Sequence, residues 1–147
     1  MVNAAYDITI LSHQAYVAST DSIYVIGEVQ NTGAQPQQYV RIDATFYSSN
    51  MTVVGTGYAF TELDVVHPGR KSPFRIIFNE EAIIPLVEYY QIEVSYSLIT
   101  DPLPDKLRIL SNSYYVGGTG SYNIVGEIEN SGSGNASYVK VIATFYD

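Results

Sequence analysis

The feature that most constrains this chain is a repeat. GEVQNTG at 27–33 returns as GEIENSG at 126–132, and the similarity extends well beyond that heptad. Residues 11–48 and 110–147 align without a gap, at an offset of 110 − 11 = 99. Leu11 meets Leu110, Tyr16 meets Tyr115, Asn31 meets Asn130, and ATFY at 44–47 meets ATFY at 143–146. Ungapped self-similarity of this length marks one folding unit used twice. Its period matches the ~100 residues of an immunoglobulin-like sandwich. The first copy runs on to about Thr100 and the second reaches Asp147. The expected organisation is therefore a complete repeat at 1–99, a Pro-containing linker at 100–106 (TDPLPDK), and about three strands of a second repeat at 107–147.

Strand patterning runs through both copies. Val40, Ile42, Ala44 and Phe46 alternate with Arg41, Asp43, Thr45 and Tyr47, and Val139, Val141, Ala143 and Phe145 repeat that inner face. Period-two alternation describes a sheet with one side in a core and the other in water. Similar segments begin at Ile8, Ile23, Val53, Phe74 and Tyr90, which makes six strands. In the second segment, Ile23, Val25, Gly27 and Val29 are expected inside, and Glu28 and Gln30 outside. Asn31-Thr32-Gly33 and His67-Pro68-Gly69-Arg70 supply turn residues, the second fitting a type II turn. NEEAIIPLVE at 79–88 is the one helical candidate, cut short by Pro85. The expected fold class is all-β, an immunoglobulin-like antiparallel sandwich in tandem, with the second copy incomplete.

Composition narrows function by exclusion. A net charge of −8 repels phosphate backbones and anionic lipid, so no nucleic-acid partner is expected. The chain has no cysteine, which removes disulfides, thiol catalysis and thiolate metal sites. No apolar run approaches the ~20 residues of a membrane span. His13 and His67 lack metal-ligand spacing, and Glu28 and Glu127 lack the clustered carboxylates of a calcium loop. Glu80 and Glu81 are neighbours that diverge rather than flank a cleft. No catalytic, cofactor or metal residue is expected, and the chain reads as a non-enzyme.

The segments GEVQNTG, YVRIDATFYS, VVGTGYAF and HPGRKSPF together resemble the FxLYD domain, over about 6–98 and again 107–147. Ala143-Thr144-Phe145-Tyr146-Asp147 occupies the family's name motif, with Ala and Phe where Phe and Leu are usual. In the first copy Ser48 also replaces the Asp. The resemblance implies an immunoglobulin-like module of bacterial and, in this dialect, archaeal proteins. Such modules are often extracellular or on the cell surface, often in tandem, and the resemblance implies no catalytic residues. It makes the sequons at Asn50 and Asn135 candidates for glycosylation.

A half sandwich would expose its core side. Ile128, Val139, Val141 and Phe145, with Tyr138 and Tyr146, are therefore the expected interface. Another chain would complete it, as a swapped dimer, a head-to-tail filament or another surface protein. The function expected is a spacer, adhesion or assembly unit. The alternative is a carbohydrate- or ligand-binding module using exposed tyrosines such as Tyr39 and Tyr47.

Overall fold

β-Branched and aromatic residues at alternate positions form nine strands among the described residues, all paired antiparallel. The computed structural model describes residues 7–146 apart from 20 and 103, with Ser19 described by its backbone alone. The strands are β1 (Ile8–Ser19), β2 (Ser22–Asn31), β3 (Gln37–Tyr47), β4 (Val53–Phe60), β5 (Val65–Val66), β6 (Lys71–Phe78), β7 (Tyr89–Leu98), β8 (Leu107–Val116) and β9 (Tyr122–Asn130). They fall into two compact units. The first holds β1 to β7 together with the described residues of Thr144–Asp147; the second lies within Leu103–Ala143 and holds β8 and β9.

In the first unit, β1-β2-β6 form one sheet. The other has β3 at its centre, with β7 along one edge and β4 and β5 along the other. The two sheets pack face to face. Val25 and Val29 from β2, Phe74, Ile76 and Phe78 from β6, and Ile42, Ala44 and Phe46 from β3 are all buried in one core. The rings of Phe46 and Phe78 meet across it at 4.6 Å. β7 ties the sheets at their margins. The Tyr96 hydroxyl accepts the Asp7 backbone N–H at 2.9 Å, and the Tyr90 hydroxyl lies 2.8 Å from His13 Nδ1.

Several local expectations change. The first unit has seven strands rather than six, because the two-residue β5 pairs with Gln37 and Gln38. It is too short to carry a periodic signal. The helical candidate yields only a 3-10 turn, Ile84–Leu86, started by its proline. The His67–Arg70 turn forms as expected, with Gly69 at φ 77 and the Arg70 N–H on the His67 carbonyl. Glu28 is buried rather than on the solvent face, and its carboxylate meets Lys71 Nζ at 3.2 Å. Gly33 does not bend the chain through positive φ. It is needed because a Cβ there would lie 2.4 Å from the Asp7 carboxylate. Asn31 shapes that corner instead, its Oδ1 accepting the Gly33 N–H at 2.9 Å.

The largest difference lies in the second stretch of the repeated sequence. The expected third strand, the counterpart of β3, is absent: residues 138–146 adopt no regular structure. β3 is held on both edges by other strands, whereas no strand ladder among the described residues includes 138–146. A segment without ladder partners has no row of backbone hydrogen bonds to hold it as a strand.

Candidate functional site: an uncovered hairpin face and an aromatic corner

The β1–β2 and β8–β9 hairpins are built alike. Ile8 pairs with Asn31 and Leu107 with Asn130, in the same register. A bulge falls between Ile10 and Ser12 in one and between Ile109 and Ser111 in the other. The corners match as well. Asn31 Nδ2 donates to the Gln35 carbonyl at 2.8 Å, and Asn130 Nδ2 to the Gly134 carbonyl at 2.7 Å. The Thr32 N–H reaches the Asp7 carbonyl as the Ser131 N–H reaches that of Lys106. Each hairpin therefore presents one apolar face.

Only the first face is covered. Ile23, Val25 and Val29 are buried under the opposing sheet. Their counterparts Tyr122, Ile124 and Ile128 are 64%, 46% and 41% exposed, and Ile109, Tyr114 and Val116 share their side through cross-strand pairing. Of the expected interface residues, the register places Ile128 on this face, whereas Val139, Val141 and Phe145 are exposed on a segment without strand structure. Ile124 also belongs to it. Its signal in the sequence is the alternation with Tyr122 and Ile128, which puts Val125 on the other side. Beyond β8, the β9 backbone has no partner strand among the described residues. Apolar surface beside an open edge is a place for another strand to add.

A second feature lies on the first unit. Between Gln38 and Arg41, two residues of β3 face one residue of β7. This bulge shifts the inward phase, so Gln37 and Val40 are both buried. Tyr39 takes φ 51 and turns outward, 67% exposed. A tyrosine there is strained by roughly 1–2 kcal/mol. The sequence carries no clue to it, because Gln37 is polar and its burial shows only in the fold. Tyr138, at the equivalent position, also has positive φ. Tyr39 borders a depression of about 540 Å³ whose wall includes Gln38, Phe60, Leu63 and Asp64. Next to it on the outer face, Arg41 lies over the Tyr58 ring at 3.9 Å and Tyr58 meets Phe60 edge-on. The Arg41 charge is held by Asp43 at 2.6 Å. Aromatic rings beside amide and carboxylate groups can stack against a ligand and hydrogen-bond it. Tyr47 is not part of this corner; its hydroxyl donates to Gln91 at 3.2 Å.

The remaining candidates stand apart. Tyr146 Oη donates to Glu28 Oε1 at 2.7 Å. That hydrogen bond, burial and the Glu28 charge hold its phenol above the ordinary value, while Lys71 acts in the opposite sense. His13 is engaged with Tyr90, and burial raises the Tyr90 phenol against a backbone hydrogen bond from Ala15. His67 sits in its turn, and Glu80 and Glu81 lie exposed before the 3-10 turn. Asn50 and Asn135 are exposed in loops. Among the described residues no cluster of three His, Cys, Asp or Glu side chains could hold a metal, and no helix is long and apolar enough to cross a membrane. In comparison with known proteins, the chain matches no family model, no curated protein and no solved structure.

Proposed function

We propose that this protein is a non-catalytic, immunoglobulin-like tandem module of an extracellular or cell-surface protein, working as a spacer, adhesion or assembly unit. Its second repeat is completed by strands from another chain. The observation that carries this reading is the β8–β9 hairpin. It reproduces the register, bulge and corner of β1–β2 while leaving Ile109, Ile124 and Ile128 uncovered. A face designed for a core and left in water has a free energy to gain by association, roughly 25 cal/mol per Å² of apolar area covered. The resemblance to FxLYD modules supports the extracytoplasmic setting. Size-exclusion chromatography with light scattering tests it. A defined oligomer that dissociates in the Ile124→Lys variant is the expected result. A monomer at all accessible concentrations, with full amide protection in β9, overturns it.

The aromatic corner favours a second reading, a carbohydrate-binding module. Tyr39 is held outward at a strained backbone beside Phe60 and Asp64. On a glycan array, binding that disappears with Tyr39→Ala and survives Tyr47→Ala supports this reading; an array without signal removes it.

A further inference from the structure

Tyr39 holds a left-handed backbone, φ 51, where glycine or asparagine would sit with little strain. Tyr138 does the same at φ 54, so both copies put a tyrosine at this position. In the first unit the residue lines the depression of about 540 Å³, a volume within the roughly 300–1,000 Å³ of small-molecule sites. Phe60, itself 51% exposed, gives the wall a second ring. Strain kept under an exposed ring points to a contact that the folded chain does not itself supply.

The polar groups of the wall divide in two. The Thr61 hydroxyl donates to the Leu63 carbonyl at 2.9 Å, and the Leu63 N–H donates to Ser72 Oγ at 2.9 Å, so these are already paired. The Gln38 amide and the exposed Asp64 carboxylate are left to meet a ligand. Asp64 carries the only formal charge among the described wall residues, and no described cation pairs with it. Arg41, on the neighbouring outer face, lies over the Tyr58 ring at 3.9 Å and is held by Asp43 at 2.6 Å, so its charge is matched there. That trio shows, on the same sheet, how a ring and a carboxylate together hold a cation. Tyr39, Phe60 and Asp64 offer the same two chemistries without a cation of the chain's own. The net charge of −8 adds a long-range pull on cations.

We propose that this corner binds a sugar bearing a free, protonated amine, a hexosamine unit of a glycan. This rests on the carbohydrate reading of the corner and narrows it to a cationic ligand. The C–H face of the pyranose stacks on the Tyr39 ring, the Gln38 amide hydrogen-bonds a hydroxyl, and the ammonium pairs with Asp64. An aromatic wall alone accepts any sugar. The carboxylate selects the charged one, because N-acetylation removes the charge and with it the ion pair. A lysine or arginine side chain supplies the cation but leaves most of a depression this size unfilled.

The test is calorimetric titration of the full chain with three β-1,4-linked tetrasaccharides, of glucosamine, of N-acetylglucosamine and of glucose. The glucosamine oligomer is expected to bind at least about tenfold tighter than the other two at low salt, with the margin shrinking at about 0.5 M salt. Asp64→Asn should erase that margin and leave the neutral sugars unchanged. Glu81→Gln, which removes the same charge from an exposed site elsewhere, should leave the margin intact. Tyr39→Ala should abolish binding of all three. Equal affinity for the three overturns the proposal and leaves the carbohydrate reading standing, as does a preference for the amine that survives Asp64→Asn. No binding of any of the three overturns both. Binding of an oligolysine peptide that needs Asp64, with no binding of the glucosamine oligomer, overturns the proposal in favour of a basic peptide.

Discussion

The two hairpins form a natural experiment within one chain. β1–β2 and β8–β9 share register, bulge and asparagine corner, yet one is a wall of a core and the other stands in water. Local sequence is therefore enough to build the hairpin, and burial is decided by what arrives from elsewhere. Equal residues at equivalent positions should carry very unequal energies, and substitutions in pairs can break or sharpen that contrast.

The largest contrast is expected at the phenylalanines of ATFY. Phe46 is fully buried against Phe78, so Phe46→Ala should cost about 3–5 kcal/mol in urea unfolding. Phe145, its counterpart, is exposed, and Phe145→Ala should stay within about 0.5 kcal/mol of the parent. A comparable loss at both would mean that the second copy has a core of its own.

Next come the asparagines. Asn31 is buried and also donates to the Val66 carbonyl at 2.7 Å, joining its corner to β5. Asn31→Ala should cost about 3 kcal/mol, because it leaves the Val66 carbonyl buried without its donor and removes two half-buried hydrogen bonds. At Asn130 the same groups are exposed, and the loss should stay below about 1 kcal/mol. Thermal melts of the two variants decide this.

A smaller effect is expected at Tyr39. Tyr39→Gly relieves a positive-φ tyrosine but loosens the unfolded chain, and the two effects should nearly cancel, within about 1 kcal/mol. A large destabilisation would show that the ring itself braces the fold, and would weaken the ligand-binding reading of the corner.

The smallest effect is alkaline. Tyr90 is raised above the ordinary tyrosine value of 10.0 chiefly by burial. Its neutral form is favoured by folding, so its contribution is present below that value and is lost as pH rises through the raised one. The melting temperature should fall above pH 10, and Tyr90→Phe should shrink that fall.

Much of the first unit was legible in advance. Alternation located β2, β3, β6 and most of β7, and the Pro-Gly turn formed where its residues stood. What escaped depended on partners far along the chain. Glu28 sits on the side of β2 that alternation assigns to water, yet it is buried. Leu98 continues an inward series but is exposed at the end of β7. The Tyr39 bulge left no trace, because the buried residue that marks its phase, Gln37, is polar. The uncovered face was legible in kind, through Ile128, but its membership and register needed the pairing of β8 with β9.

The sequence by itself determined the hairpins: their register, their bulges, their asparagine corners and which side chains share a face. These follow from contacts between residues close along the chain, and so they form in both copies. Tertiary structure alone decided whether such a face becomes a core and whether ATFY becomes a strand. Those outcomes need distant strands to supply ladder hydrogen bonds and apolar cover, and a residue pattern cannot report whether the partner it suits has arrived.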